Sequence, residues 1–447
     1  MTTILNLNLN HRNNIQDKFN ELIIGQKEWA QIPLKKRIEC IQRFSKLLLD
    51  NKEDLAITLT KDMGKPIRES RNEIDGARNR IQYFIDHSQT WLSPEMVHKT
   101  DQVEEILTYE PLGVIANISA WNYPYLVGVN VFIPALIAGN AVFYKPSEHA
   151  LETGKKIEEL LYKAGIPKNV FTAVLGDGSA GKRLLELPLN GFFFTGSYNT
   201  GASIAKQIGP RMVPMGFELG GKDPLYVTNE VADIRAVAQA AVEGCFYNNG
   251  QSCCAVERIY VAKQVYARFL SAFIEETQKL KMGDPLLETT DLGYLARAEQ
   301  VEVLNAQIRD ATGKGALLLL GGIQQKMAQP YFEPTVLVNV DHTMSLMREE
   351  TFGPVIGIQK VQNDEEAIRL MGDTEYGLTA SVYSSNIPRA KEILRKLDVG
   401  SGLINCCDRV TAYLPWSGRK HSGLGSTLSY LGILSFCKPK GYQIKPG

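Results

Sequence analysis

Residues 114–145 read VIANISAWNYPYLVGVNVFIPALIAGNAVFYK, and the fold class follows from this stretch. Its first residues form a short apolar run typical of a buried strand, and residues 141–145 predict a second strand. We interpret the apolar residues between these strands as a buried helix that runs into the second strand. A membrane-spanning helix is the less favoured interpretation, because Asn130, Pro134 and Asn140 lower the hydrophobicity that such a helix needs.

Strand-like and helix-like segments alternate on both sides of this stretch. Amphipathic helices are predicted at residues 35–63 and 73–87, and a strand at 103–110. The remaining predicted strands are 170–175, 191–194, 224–227 and 258–261, and the remaining helices are 153–164, 201–208, 231–245, 265–281 and 296–310. Such alternation is typical of βαβ units, so the sequence predicts an α/β protein with parallel sheets that carry helices on both faces.

Length, charge and cysteine content narrow the class of protein further. The chain has 447 residues, enough for two or three domains, and its 49 Lys and Arg balance its 49 Asp and Glu. Without a basic excess, nucleic acid and membrane surfaces are not expected as partners. Seven cysteines in a chain of this size predict reduced thiols, and residues 1–12 lack the apolar core of a signal peptide. We therefore predict a cytoplasmic protein.

Three segments carry residue types that suit carbonyl chemistry. In residues 248–255, NNGQSCCA, a cysteine follows a glycine turn and could act as a nucleophile, with a buried inert thiol as the alternative. Glu218 stands among apolar and glycine residues, which suits a general base, although a cap or an ion pair would also explain it. Asn122 follows the strand at 114–118, so its amide at the carboxyl end of that strand could stabilise an oxyanion.

Three further segments are candidates for cofactor binding. Residues 194–201, FTGSYNTG, predict a strand, a glycine turn and a helix N-terminus that offers free N–H groups to a pyrophosphate. Residues 144–148, YKPSE, end a strand with Lys145 and Glu148, which could reach a ribose or form a solvated pair. Residues 348–354, REETFGP, place an acid and an aromatic side chain before a turn.

These motifs occur together, and their combination is highly specific. Trp-Asn-Tyr-Pro spans residues 121–124, Glu-Leu-Gly-Gly spans 218–221, Gly-Gln-Ser-Cys spans 250–253, and Glu-Glu-Thr-Phe-Gly-Pro spans 349–354. With these motifs the sequence resembles the NAD(P)-dependent aldehyde dehydrogenase superfamily from about Ile15 to its end. The resemblance implies an aldehyde-dehydrogenase-like α/β fold. Its parts would be a Rossmann-type cofactor domain, a second α/β domain with the catalytic cysteine, and a small β element for oligomerisation.

The resemblance further implies a cysteine mechanism. Cys253, rather than Cys254, would attack the aldehyde, while the Asn122 amide and the backbone N–H of Cys253 hold the oxyanion. Hydride transfer to the nicotinamide would leave a thioester, which water activated by Glu218 hydrolyses. CoA-acylating relatives commonly lack that glutamate, and a non-catalytic crystallin-like scaffold is expected to lose the catalytic residues. Hydrolytic oxidation is therefore favoured over both alternatives.

The resemblance also implies where a cofactor binds. The pyrophosphate is expected near Gly196 and Ser197, and the adenosine ribose near Lys145 and Glu148. The other expected cofactor residues are Ser147, Leu219, Trp121, Glu350 at the nicotinamide ribose and Phe352 beside the ring. A carboxylate accepts a hydrogen bond from a ribose hydroxyl and repels a phosphate, so Glu148 favours NAD, with NADP as the alternative. No metal is expected.

A substrate tunnel follows from the same resemblance. The residues expected to line it are Tyr123, Val127, Asn130, Tyr247, Ser252, Cys254, Asp408, Arg409, Val410 and Trp416. Relatives that oxidise succinate semialdehyde often hold its carboxylate with arginines at the positions of Asn130 and Tyr247, so no such clamp is evident here. We therefore predict a small or medium neutral aldehyde. Succinate semialdehyde stays the alternative, because Arg409 could supply an anion site of its own.

Two further expectations concern the C-terminal part and the assembly. An Arg-Glu pair common near the C-terminus of the family is replaced by Ser426 and Thr427, so Glu218 is expected to depend on water alone. The expected domains are residues 1–97 with 112–221 for the cofactor, 222–431 for catalysis, and 98–111 with 432–447 for oligomerisation. Because the last element pairs edge strands between subunits in the family, a homodimer or homotetramer is expected.

Overall fold

The structure is a computed structural model that describes residues 2–325 and 329–445. For residues 2–14 and residue 325, only the backbone is described. The first residue and the last two belong to the predicted cofactor and oligomerisation segments, and they lie outside the described residues.

Helices form the N-terminal part of the described chain and cover the sheets. They are α1 (Thr2–Gln31), α2 (Leu34–Asp50), α3 (Lys52–Met63), α4 (Ile67–Trp91), α5 (Pro124–Ala138), α6 (Leu151–Lys163), α7 (Gly178–Leu184), α8 (Tyr198–Ile208), α9 (Ile234–Phe246), α10 (Tyr266–Thr277), α11 (Gln300–Gly313), α12 (Asp364–Gly372), α13 (Ile387–Arg395) and α14 (Ser429–Leu434). The helix predicted at 35–63 is two helices, because the backbone leaves the helical conformation at Asn51. Helix α8 begins earlier than predicted, because the Ser197 side chain caps it.

Strands alternate with these helices from residue 114 onward. The strands are β1 (Glu95–Lys99), β2 (Glu104–Pro111), β3 (Val114–Ile118), β4 (Ala141–Lys145), β5 (Phe171–Ala173), β6 (Gly191–Thr195), β7 (Met215–Glu218), β8 (Asp223–Val227), β9 (Val256–Ala262), β10 (Leu317–Leu320), β11 (Gln324–Gln325), β12 (Tyr331–Phe332), β13 (Thr335–Val338), β14 (Val355–Val361), β15 (Tyr376–Gly377), β16 (Thr379–Tyr383), β17 (Ser401–Ile404), β18 (Arg419–Lys420), β19 (Gly423–Leu424) and β20 (Cys437–Ile444). The predicted alternation of strands and helices is confirmed.

The first large sheet has the order β19-β7-β6-β3-β4-β5. Its strands are parallel except β19, which runs antiparallel to β7. Strands β3 and β4 are buried along their whole length, as expected where helices cover both faces. Because the carboxyl ends of parallel strands meet at one edge, the segments that contain Asn122, Ser147, Ser197 and Glu218 lie along the same edge of this sheet.

Helix α5 connects β3 to β4 as the predicted buried helix. Pro124 occupies its first turn, where a missing N–H costs nothing, and Gly139 ends it with a φ of 98°. Nearly every residue of α5 is buried in the protein core. Of the helices within the described ranges, none combines the length and the apolar character needed to cross a membrane.

The second large sheet has the order β10-β13-β14-β9-β8-β16-β17. It is parallel except for β10. Cys253 precedes β9 and Glu350 precedes β14, so both residues lie at the amino ends of neighbouring strands. The predicted α/β class with parallel sheets is therefore confirmed.

A small antiparallel sheet joins the C-terminal tail to the middle of the chain. Its order is β1-β2-β20, and β2 pairs with β20 from Glu104 opposite Ile444 to Pro111 opposite Cys437. The tail thus adds an edge strand, and β1 begins at Glu95, before the predicted start of this element. The division of the chain into three domains stays a prediction.

Candidate active site

The cysteine loop, residues 247–255, joins helix α9 to strand β9 through an unusual backbone. Asn248, Asn249 and Gly250 have φ values of 53°, 55° and 70°, so three successive residues are left-handed. A Cβ atom on Gly250 would lie 2.5 Å from the carbonyl oxygen of Gly353, so a larger residue cannot replace it without movement. Such a backbone costs free energy and persists only where surrounding contacts hold it. Cys253 stands three residues after this turn.

Hydrogen bonds from distant segments hold the cysteine loop. The backbone oxygen of Gln251 accepts from Nδ2 of Asn248 and Nδ2 of Asn122, both at 3.1 Å. The side-chain oxygen of Gln251 accepts from the N–H of Ala296 at 3.0 Å. On the other side, the N–H of Asn248 donates to Glu69 at 2.9 Å. Burial raises the pKa of Glu69 to about 8.

A buried ion pair supports the segment that contains Asn122. Lys65 Nζ donates to Glu73 Oε2 at 2.5 Å, and both side chains are fully buried. Lys65 also donates to the backbone oxygen of Asn122 at 2.8 Å and lies 4.1 Å from the centre of the Tyr123 ring. The second oxygen of Glu73 accepts from the N–H of Tyr125 at 2.8 Å, in the first turn of α5. The pair therefore fixes the segment from Asn122 to Tyr125.

Asp408 connects the two residues that flank Cys253. Its Oδ1 atom accepts from Ser252 Oγ and from Cys254 Sγ, each at 3.1 Å. A hydrogen bond with Cys253, together with burial, raises the pKa of Cys254 well above its ordinary value. Cys254 is therefore held as a thiol and is buried, while Cys253, which lines the same cavity, is half-buried and more exposed.

Glu218 ends strand β7, and its side chain has a protein partner. The hydroxyl of Thr427 donates to Glu218 Oε1. Burial raises the pKa of Glu218, and the hydrogen bond from Thr427 opposes that rise, as do the charge of Arg80 and the amide of Asn130. Thr427, at the position where the resemblance implies a glutamate, thus gives Glu218 a hydroxyl partner, and the expectation that Glu218 depends on water alone for proton relay stays a prediction.

A cavity of about 860 Å³ opens beside Cys253 and Glu218. All of the residues expected to form the tunnel line it: Tyr123, Val127, Asn130, Tyr247, Ser252, Cys254, Asp408, Arg409, Val410 and Trp416. The volume falls within the range typical of small-molecule sites. Cys253 and Glu218, which are distant in sequence, thus face one space.

Helix α4 contributes residues to the site that were missed from the sequence. Glu73 and Arg80 both line the cavity, and so do Tyr83 and His87 near Tyr413. The ring centroid of Tyr83 lies 4.5 Å from that of His87 and 4.7 Å from that of Tyr413. A sequence signal existed, because two opposite charges seven residues apart share one face of a helix whose apolar residues repeat at helical spacing.

The glycine turn, residues 195–198, lies where β6 meets α8 along the edge that carries Glu218. The N–H of Gly196 donates to the backbone oxygen of Glu218 at 3.0 Å. Ser197 caps α8, since its hydroxyl accepts from the N–H of Thr200 at 3.4 Å and donates to the Thr200 hydroxyl at 3.0 Å. The buried Leu219 packs under the helix, where a Cβ on Gly201 would lie 2.7 Å from it.

Lys145 and Glu148 bind each other at the end of β4. Lys145 Nζ donates to Glu148 Oε2 at 2.9 Å, with the lysine buried and 42% of the glutamate side chain exposed. Burial alone would raise the pKa of Glu148, but hydrogen bonds from its own N–H and from Lys145 outweigh it and lower that pKa. Ser147, between them, accepts from the N–H of His149 at 3.3 Å. The pair leaves a carboxylate facing outward.

Glu350, Phe352 and Trp121 lie between the two large sheets. Glu350 Oε1 accepts from the N–H of Gly221 at 3.0 Å, and burial raises the pKa of Glu350 to about 8. The rings of Trp121 and Phe352 meet edge to face with centroids 5.5 Å apart. Within the described residues, no group of three or more His, Cys, Asp or Glu side chains is arranged to hold a metal ion.

Comparison with known proteins identifies close similarities over nearly the whole chain. The model of the aldehyde dehydrogenase family matches residues 3–441. The succinate-semialdehyde dehydrogenase [NADP(+)] of Deinococcus radiodurans is 33% identical over 415 residues, which are 93% of this chain and 87% of that protein. The succinate semialdehyde dehydrogenase [NAD(P)+] Sad of Escherichia coli K12 is 32% identical over 414 residues, 92% of this chain and 89% of that one.

Solved structures are similar to the same extent. A crystal structure of an indole-3-acetaldehyde dehydrogenase in complex with NAD+ superposes with a TM-score of 0.94 at 32% identity. The match covers 97% of this chain and 89% of the other.

Proposed function

The chain belongs to the aldehyde dehydrogenase family, and on that premise we propose that Cys253, Asn122 and Glu218 oxidise an aldehyde to a carboxylic acid with NAD(P)+. One observation carries the assignment of these residues. A half-buried thiol and a carboxylate, brought from different sheets, line one cavity of substrate size. The amide of Asn122 bonds to the loop that presents the thiol.

In the first half of the reaction the Cys253 thiolate attacks the aldehyde carbon. The electrons of the carbonyl bond move onto its oxygen, and the Asn122 amide and the N–H of Cys253 donate hydrogen bonds to that oxyanion. Within the described chain no group accepts from the N–H of Cys253, so this donor is free to do so. A nicotinamide held beside Glu350 and Phe352 would supply the acceptor for the hydride, and loss of that hydride from the substrate carbon leaves a thioester on Cys253.

In the second half Glu218 acts as the general base on the thioester. It takes a proton from water, the hydroxyl adds to the carbonyl carbon, and the carbon–sulfur bond breaks to return the Cys253 thiolate. Burial raises the pKa of Glu218 toward the range that a base near neutral pH needs. The Thr427 hydroxyl keeps the carboxylate oriented between turnovers.

The residues at the edge of the first sheet suit a dinucleotide. The exposed N-terminus of α8, an eleven-residue helix after Gly196 and Ser197, presents N–H groups and the positive end of a dipole, which favour a pyrophosphate. The outward carboxylate of Glu148 suits an adenosine ribose hydroxyl and favours NAD. If the Glu148 side chain turned away, Lys145 would lose its partner and could bind the phosphate on the ribose of NADP. NADP is therefore the second cofactor to test.

A measurement of reduced nicotinamide formation tests this function. Purified protein is assayed with NAD or NADP and with butanal, hexanal, benzaldehyde and succinate semialdehyde, with Cys253→Ala as the matched control. We expect turnover that the control abolishes, with the higher kcat/KM for NAD. Turnover that requires coenzyme A would show that the acyl group passes to coenzyme A and not to water. Turnover that survives in Cys253→Ala would show that Cys253 is not the nucleophile.

We also propose that the three-stranded sheet pairs with a second copy of the chain. Its edge strands β1 and β20 carry exposed apolar residues, with Val97 59% and Ile444 46% exposed. An uncovered edge of this kind invites strand pairing. Light scattering should therefore give the mass of a dimer or tetramer, and Val97→Lys should shift it toward the monomer; a monomeric wild-type protein would contradict the assembly.

A further inference from the structure

Arg80 is a buried cation on the cavity wall. It lies on helix α4, its residue is 9% exposed, and it lines the cavity beside Cys253. One guanidinium nitrogen, Nη1, donates to the backbone oxygen of Leu126 at 3.1 Å and to Oδ1 of Asn130 at 2.8 Å. Both acceptors are neutral groups on helix α5.

No carboxylate of the described residues forms an ion pair with Arg80. A buried charge without a counter-ion is costly, and burial lowers the pKa of Arg80. The charges of Glu218 and Glu73 oppose that shift, so both carboxylates are near the guanidinium, but Glu218 accepts a hydrogen bond from Thr427 and Glu73 pairs with Lys65. Within the described residues, the guanidinium therefore has no hydrogen-bonded carboxylate, and it can bind one that enters the cavity.

The other cations near the cavity already have partners. Lys65 pairs with Glu73 beneath the surface. Arg409 lies 3.6 Å from Glu243, and its side chain is 68% exposed, so solvent screens it. Of these three cations, Arg80 alone combines burial, access to the cavity and the absence of a direct ion pair with a described carboxylate.

We propose that Arg80 binds a carboxylate carried by the aldehyde substrate, so that the cavity selects aldehydes with an acid group at the far end. This inference rests on the proposed function and adds the substrate class. A neutral substrate was predicted because Asn130 and Tyr247 occupy the positions at which relatives that oxidise succinate semialdehyde often carry arginines. Arg80 donates to Asn130, so it brings a guanidinium to that part of the cavity from a different helix.

The chemistry of the contact suits a carboxylate. A guanidinium presents its N–H groups in a planar fork, and charge-assisted hydrogen bonds to a carboxylate are stronger than neutral ones. Asp408, which accepts from the two residues that flank the nucleophile, is engaged by Ser252 and Cys254 on the side of the cysteine loop. A substrate with its aldehyde at Cys253 would therefore direct its acid group away from Asp408 and toward helix α4.

The test compares succinate semialdehyde with butanal, which has the same number of carbons but no acid group. In the wild-type protein we expect a higher kcat/KM for succinate semialdehyde. In Arg80→Met the ratio of the two kcat/KM values should fall about tenfold to hundredfold, mainly through KM for succinate semialdehyde, as loss of one charge-assisted hydrogen bond predicts. Arg80→Lys keeps the charge without the fork and should give an intermediate ratio.

Arg78→Met provides the matched control. Arg78 lies on the same helix, donates to the backbone oxygen of Ser45 at 3.2 Å and does not line the cavity, so its ratio should stay that of the wild type. An unchanged ratio of the two kcat/KM values in Arg80→Met or Arg80→Lys would overturn the inference, and so would an equal loss for both aldehydes. Either result would indicate that Arg80 acts through Glu218 instead of binding the substrate. Wild-type turnover of butanal alone would also overturn it, whereas no turnover of any aldehyde would overturn the proposed function itself.

Discussion

The cysteine loop and the glycine turn are both short connections at the candidate site, yet they are held in different ways. The cysteine loop has three successive left-handed residues, and its contacts come from Glu69, Asn122, Ala296 and Asp408, all distant in sequence. The glycine turn has one backbone hydrogen bond to the distant Glu218, and its side-chain cap is local, since Ser197 bonds to the residue three positions later.

This difference follows from what each connection has to do. A nucleophile must stand at a set distance from an oxyanion donor and a base, and small errors in that geometry reduce the rate greatly. A pyrophosphate needs only the free N–H groups and the dipole of a helix N-terminus, which a local cap provides. Substitutions of distant side chains should therefore damage the cysteine loop, while the glycine turn should respond mainly to local ones.

The largest expected effect comes from breaking the ion pair under Asn122. Lys65→Met leaves the Glu73 carboxylate buried without its cation, so we expect a loss of about 3–5 kcal/mol in the free energy of unfolding. Denaturant titration measures it. Lys46→Met, which breaks the exposed pair with Asp50, is the control and should have little effect. An equal loss in both variants would show that the buried pair has no special role.

Removal of the Asn122 amide should reduce catalysis more than stability. Asn122→Ala takes away the proposed oxyanion donor and the bond to Gln251, so kcat should fall about 100- to 1000-fold. Steady-state kinetics with thermal unfolding in parallel separates the two effects. A normal kcat would mean that the amide serves only to hold the cysteine loop.

The pH dependence of turnover reports the partner of Glu218. The hydroxyl of Thr427 favours the charged carboxylate, so Thr427→Val should raise the pKa of Glu218 beyond the rise that burial causes. The base works when deprotonated, and the increase of kcat with pH should therefore move to higher pH. Thr427→Ser keeps the hydroxyl and should restore the wild-type profile. A profile unchanged in Thr427→Val would show that thioester hydrolysis does not limit kcat or that this bond is absent in turnover.

The smallest effect is expected at the glycine turn. Ser197→Ala removes the cap of α8 and should cost about 1 kcal/mol of stability, with a moderate rise of KM for the cofactor and no change in the reactivity of Cys253. Alkylation of Cys253 by iodoacetamide, followed by mass spectrometry, checks the last point. A changed alkylation rate would show that the two connections are coupled.

The strands and helices of the fold could be predicted from the sequence where each segment carries its own pattern of apolar residues. The apolar runs of β3 and β4, and the buried α5 between them, have a periodicity that each segment carries by itself. Two of the differences from the predicted elements concern helix ends. The break at Asn51 and the early start of α8 depend on backbone and cap geometry, which a periodic pattern does not report.

The candidate site likewise contains residues that local motifs indicate and residues whose contacts only the folded structure shows. Cys253, Glu218 and Asn122 belong to motifs, so the sequence indicated them, and the structure brings the first two to one cavity. Lys65, Glu73 and Arg80 belong to no motif. The spacing of Glu73 and Arg80 was a sequence signal, but the contacts of all three with the segment from Asn122 to Asn130 follow only from packing. The role of Thr427 was also missed, because a hydroxyl in place of a carboxylate does not reveal its partner.

The account depends on a covalent intermediate at Cys253 that Glu218 resolves, and Glu218→Gln tests it most directly. This variant is mixed with NAD and one aldehyde in a single turnover, and reduced nicotinamide and the intact mass are followed together. We predict a burst of reduced nicotinamide with an acyl group that accumulates on the peptide containing Cys253. A burst without any gain in mass, or an acyl group on Cys254, would contradict the account.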